Sequence, residues 1–144
     1  MDPRNDPRRG DRDRYWLHLL LFVLTLLSTV YAGGAMAGRA ILYARSTEIV
    51  NLFGWSVTSA FLMDGLLYGG SLLAFLTVHE FGHYFAARIH SVRTSLPYYV
   101  PFPFNGIGTF GAVIRIREQV PSMRKLFDIG AAGPVAGFVV ALGV

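Results

Sequence analysis

Apolar residues are gathered into three long runs separated by polar or turn-rich stretches, and each run is too long and too uniform to be a strand. The first extends from Tyr15 to about Gly34, opens with the interfacial pair Tyr15 and Trp16, and has the roughly 20 residues that cross a bilayer core. The second covers Leu66 to about Ile89, and the third begins at Leu126 and is still apolar at Val144. Ahead of them, Met1 to Arg14 mixes five Arg with four Asp and two Pro and has no apolar period, which predicts a disordered leader, residues 1–14. Ala35-Met36-Ala37 has the small-residue form of a signal cleavage site, but the acidic leader and the length of the run favour a retained span. The moderately apolar stretch from Ile49 to Met63 suits the membrane interface.

Between the second and third runs the period changes. Residues 91–125 carry Pro97, Pro101 and Pro103, then Asn105-Gly106 and Gly108, all turn signals. From Thr109 to Arg117 the residues Phe110, Ala112, Ile114 and Ile116 alternate with Thr109, Gly111, Val113, Arg115 and Arg117, the period-two pattern of a strand. The predicted fold is therefore mainly α: about three transmembrane helices, at 15–34, 66–89 and 126–144, with a small membrane-associated strand or hairpin region at 91–125. No polar flank follows the third run, which predicts that the chain is the N-terminal part of a longer protein.

Composition sharpens this picture. The chain is 53% hydrophobic and only 15% charged, where a soluble domain carries about a quarter charged residues, so lipid is the expected main solvent. The net charge of +4 does not read as a nucleic-acid surface, because the basic residues sit at the ends of apolar runs. Arg residues crowd the leader and the region from Arg88 to Lys125, whereas Arg39 and Arg45 are the basic residues between the first two spans. That bias puts the N-terminus in the cytoplasm. With no cysteine, disulfides and thiolate metal sites are excluded, so any metal must be held by His and carboxylate.

His79-Glu80-Phe81-Gly82-His83 lies inside the second apolar run. Two His four residues apart on a helix share one face and can converge on one zinc, with Glu80 beside the metal's open position as general base. The bland alternative is two hydrogen-bonded core histidines and a Glu snorkelling to water. Ionisable groups in a membrane-length segment cost roughly 2.5–3.5 kcal/mol each on insertion scales, which weighs against it.

The chain resembles the site-2 proteases, intramembrane zinc metalloproteases, and is most similar to their bacterial and plastid branch. The resemblance runs through Thr29-Val30-Tyr31-Ala32-Gly33-Gly34, then His79 to His83 with Tyr84-Phe85-Ala86-Ala87-Arg88, then Leu96-Pro97-Tyr98-Tyr99-Val100-Pro101. It continues with Gly108-Thr109-Phe110-Gly111-Ala112 and the segment from Phe127 to Gly137. It implies zinc (Zn2+) held by His79 and His83, Glu80 as the catalytic carboxylate, and a third ligand from an Asp-Gly motif on a later helix. That later motif has no matching position here. Asp64-Gly65 precedes the His motif, and Asp128 suits an acidic charge at a helix N-terminus. The resemblance further implies single-span or other transmembrane protein substrates in a lipid bilayer, a bacterial inner-membrane location, and β-augmentation of substrate on the predicted strand. Gly133 and Gly137 form a small-xxx-small pair that would bring the third helix close to the motif helix, loosened by Pro134. The rivals are a catalytically silent relative that binds or chaperones membrane proteins, and a transporter using the buried charges as a relay. Without a third ligand, the 144-residue chain alone is expected to be inactive.

Overall fold

The computed structural model describes residues 14–40, 49–52 and 55–143, so the expected disordered leader lies outside the described residues except for Arg14. Helix α1 is Tyr15–Ala40 and helix α2 is Ser59–Ile89. Between them strands β1, Ile49–Leu52, and β2, Trp55–Thr58, form an antiparallel hairpin with Ile49 opposite Thr58. Strands β3, Tyr98–Phe102, and β4, Gly108–Val113, form a second two-stranded antiparallel sheet, and helix α3, Met123–Ala141, follows.

The burial of α1 is the reverse of what water would select. Its large apolar residues Trp16, Leu19, Leu20, Val23, Leu24, Leu27 and Tyr31 are exposed, while His18, Thr25, Ser28 and Thr29 are buried. The two threonine hydroxyls are satisfied within the helix: Thr25 donates to the Leu21 carbonyl at 2.7 Å and Thr29 to the Thr25 carbonyl at 2.9 Å. Small and hydroxylated residues at helix contacts with apolar ones outside is the arrangement that lipid favours. On α2, Gly65 and Gly69 supply the matching small surface, since a side chain at Gly69 would stand 2.9 Å from the Thr29 hydroxyl.

Among the described residues α1 and α2 are long and apolar enough to cross a membrane. Helix α3 has 19 residues but carries Arg124, Lys125 and Asp128 in its first two turns, so the expected count of three spans becomes two clear ones. Helix α2 also begins seven residues before the predicted boundary at Leu66, and α1 runs past Gly34 to Ala40.

The second sheet packs on α1. Tyr99 and Ala112 cluster with Leu73 against Leu21, Phe22 and Leu26, and the Tyr99 ring meets Phe22 edge-on at 5.0 Å. The strand expected at Thr109 to Arg117 ends at Val113; beyond it Ile116 makes a single bridge to Thr94. Its faces also differ from strict alternation. Pairing steps from Pro101–Thr109 to Val100–Gly111, leaving Phe110 as the extra residue of a bulge, with Gly111 at φ 106°. A bulge shifts the side-chain phase by one. Thr109 and Ala112 are consequently buried, and Phe110 and Val113 are exposed.

The β3–β4 turn is built on one side chain. Asn105 Oδ1 accepts from the Ile107 and Gly108 amides at 3.0 and 2.9 Å, and its Nδ2 donates to the Thr109 carbonyl at 2.8 Å. Gly108, at φ 93°, presses its backbone onto Ser28 and Thr29 of α1, where a Cβ would come within 2.6 Å. Asn105→Ala removes all three bonds and is expected to destabilise the full-length protein by about 1–3 kcal/mol, read as a lower Tm in detergent. An unchanged Tm would mean that the turn is held by the strands alone.

Candidate metal centre

His79 and His83 lie one turn apart on the face of α2 that meets α3, and their Nε2 atoms are 3.2 Å from each other. Two imidazole nitrogens on a tetrahedral zinc, each about 2.0–2.1 Å from it, would be roughly 3.3 Å apart. The His83 Nδ1–H donates to the Ile129 carbonyl of α3 at 2.7 Å. That bond fixes the ring's orientation and leaves the Nε2 lone pair facing His79. His79 Nδ1 is buried with no hydrogen-bond partner, so the ring is held by packing, with Phe75 5.8 Å away centroid to centroid. Two imidazoles whose Nε2 atoms converge in apolar surroundings are a donor set that suits zinc. Among the described residues no group of three or more His, Cys, Asp or Glu is placed to hold a metal.

Glu80 is 7% exposed and lines a cleft of about 320 Å³ together with His83, Val113, Ile114, Leu126 and Gly130. The backbone N–H of Ile114, just past β4, donates to its carboxylate. Opposite, Tyr99 of β3 shares a 2.8 Å hydrogen bond with the Thr77 hydroxyl, less than one turn before Glu80. Burial, with Glu80 also close by, pushes the Tyr99 hydroxyl above the usual phenol range despite its bond to Thr77, so it stays protonated. Beyond the apolar contact at Leu73, the second sheet and the residue after it reach the motif helix through one hydroxyl and one amide, both close to the carboxylate.

Helix α3 reaches the histidines because three positions lack side chains. A Cβ at Gly82 would stand 2.6 Å from the Ala132 carbonyl, one at Gly133 would overlap the His83 ring, and one at Gly137 would stand 3.1 Å from His79 Nδ1. The close approach expected of Gly133 and Gly137 is thus present; Gly82, which sequence reading passed over, completes it from the motif side. Pro134 has no N–H to give the Gly130 carbonyl, which weakens the helix beside the cleft. Asp128 was expected to act as an N-terminal helix charge, but it lies beyond the first turn of α3 and pairs with His90 at 3.2 Å. With the cluster of Ala87, Val92 and Ile129, this pair joins the end of α2 to the start of α3. Asp64 lies near the far end of α2, roughly 22 Å from His79 along the axis at 1.5 Å per residue.

Comparison with known proteins matches residues 70–144, just over half of the chain, to Peptidase family M50. A rice protein (Oryza sativa subsp. japonica) described as "Probable zinc metalloprotease EGY1, chloroplastic" is 33% identical over 134 residues, covering 86% of this chain and 22% of the relative. Its Arabidopsis thaliana counterpart is 29% identical over 136 residues, covering 91% of this chain and 24% of the relative. A third relative, "Probable zinc metalloprotease EGY2, chloroplastic" of Oryza sativa subsp. indica, is 40% identical over 77 residues, covering 54% of this chain. The chain spans less than a quarter of the length of the two relatives that match most of it. No solved structure gives a significant match. These relatives carry a chloroplast description, where the sequence led to a bacterial inner membrane. The matched segment opens eleven residues into α2 and takes in the motif, the second sheet and α3, and on that evidence the chain belongs to peptidase family M50, the site-2 protease family.

Proposed function

We propose that the full-length protein is a zinc-dependent endopeptidase that cuts peptide bonds in or near the transmembrane segments of other membrane proteins. The observation that carries this reading is the pair of Nε2 atoms 3.2 Å apart on a lipid-length helix, with Glu80 beside them in a cleft. His79 and His83 would hold the zinc, and an Asp from the part of the relatives that this chain does not span would complete its ligands. Zinc supplies Lewis-acid polarisation of the scissile carbonyl and of water. Glu80 takes the proton from the attacking water as the new C–O bond forms, then gives it to the amide nitrogen as the C–N bond breaks. The Ile114 amide keeps the carboxylate aimed during both transfers. The Ile129 carbonyl engages His83 Nδ1, so Nε2 is the atom that would be offered to a metal.

A transmembrane substrate is helical, so its carbonyls must be uncovered before attack. Strand β4 pairs only with β3 among the described residues, and its other side adjoins the cleft, so an unwound substrate could be held there as an added strand. The arginine bias of the sequence supports a cytoplasm-side N-terminus, with the second sheet dipping into the bilayer from that side along α1 and α3 entering after its charged first turns.

The test is metal analysis and proteolysis with the full-length protein in detergent. One zinc per chain, lost in His79→Ala, together with cutting of a single-span substrate, is the expected result. A protein that binds no zinc and cuts no membrane substrate would sink the reading and favour the silent binding relative.

A further inference from the structure

The cleft next to Glu80 has a wall whose composition bears on which peptide bond is chosen, a point that rests on the peptidase reading above. On α3, Leu126, Gly130, Gly133 and Gly137 follow one another at spacings of four, three and four and so lie on one face. The last two fit against imidazoles: a Cβ at Gly133 would overlap His83, and one at Gly137 would approach His79. Gly130 is different, because a Cβ built there meets nothing within 4 Å, and the residue is exposed although it lines the cleft. The open space in front of Gly130 is therefore the cleft itself, one turn along from the His83 contact. Its other walls are apolar, from Val113 and Ile114 on the sheet side and Leu126 and Ile129 on the helix side. At about 320 Å³ it lies at the small end of ligand sites, which run from about 300 to 1,000 Å³, and has room for one large side chain.

We propose that Gly130 sets the size of the substrate side chain accepted beside the scissile bond, and that the cleft takes a branched or aromatic apolar residue because α3 presents no side chain there. The occupant follows from what bounds the space. Glu80 and His83 line the same cleft, so a chain whose carbonyl is attacked at them must put an adjoining side chain into it. The lining offers no cation and, apart from Glu80 and His83, no polar side chain, so an apolar residue is the one it accommodates without stranding a polar group. Filling the space from the enzyme side should then exclude large residues, and adding one or two methylenes' worth of volume to an apolar pocket changes discrimination by about 10–200-fold.

The experiment uses the full-length enzyme in detergent and a series of single-span substrates that differ at one residue next to the cut, carrying Ala, Leu or Phe. Parent, Gly130→Ala and Gly130→Leu are compared by the ratio of kcat/KM for the Leu or Phe substrate to that for the Ala substrate. The expected result is a parent ratio above one that falls at least tenfold in Gly130→Leu and by a smaller factor in Gly130→Ala. A fall in all rates by a common factor, with the ratio unchanged, would mean that Gly130 matters only to the fold and would overturn the inference while leaving the peptidase reading intact. If Gly130→Leu does not fold, the Gly130→Ala ratio decides alone, and an unchanged ratio there overturns the inference. A parent that cuts none of the series would overturn the peptidase reading, and this inference with it.

Discussion

Full-length protein carrying Glu80→Gln is expected to hold as much zinc as the parent and to cut its substrate more slowly by a factor of about 10²–10⁴. The amide has nearly the same shape as the carboxylate and can still accept the Ile114 N–H through its Oε1, so neither the cleft nor the sheet contact should collapse. What it cannot do at neutral pH is take a proton from water. The imidazole pair is not touched by the change, because the His79–His83 contact and the His83 bond to Ile129 lie on other side chains. Single-turnover cleavage alongside metal analysis separates the two effects. A variant that cuts within a few-fold of the parent would assign proton transfer to another group.

Gly133→Leu should damage the metal site without altering any ligand. The Gly133 backbone lies against the His83 ring, so any side chain there must drive α3 away or turn the imidazole. Either movement breaks the 2.7 Å bond from His83 Nδ1 to the Ile129 carbonyl, the contact that selects the tautomer. Loss of such an outer contact typically lowers metal affinity by 10–100-fold, and displacement of the ring should bring the loss to the upper end of that range. Gly70→Ala is the matched control, since that exposed helical glycine faces open space and its substitution should leave zinc affinity as it was. Competition with a zinc chelator measures both. Equal affinities in the two variants would show that α3 does not support the histidines.

The motif and its helix were legible because two local regularities coincide: a spacing of four puts His79 and His83 on one face, and a long apolar run sets the helix around them. The same regularities could not place helix ends. Ser59 to Gly65 contains Asp64 and the small residues Ser59, Ala60 and Gly65, which dilute the hydropathy without interrupting the helix, so α2 begins earlier than the apolar run. Strand β3 was obscured by the prolines of the segment Leu96 to Pro103; it survives because Pro101 sits beside the bulge, where a ladder donor is not required. The phase of β4 was lost at the same bulge, which depends on Gly111 taking a positive φ that no hydropathy pattern encodes. The apolar C-terminal half of α3 reads as a span, while Lys125 and Asp128 serve contacts at its start: Lys125 reaches the His90 carbonyl at 3.4 Å and Asp128 the His90 ring. The support that His83 receives from Ile129 joins residues 46 apart in sequence through a backbone atom, and side-chain patterns carry no trace of it.

The seat of Gly108 on Ser28 and Thr29 fixes how deep the β3–β4 turn lies. Those α1 residues are about 20 Å from Tyr15 at 1.5 Å per residue, so with α1 crossing a core of about 30 Å the turn would sit near mid-depth. Amides at a reverse turn in water trade hydrogen for deuterium almost at once. Those of Ile107 and Gly108, screened by acyl chains and bound to a single carboxamide, should instead keep their hydrogen as long as the interior of a helix does.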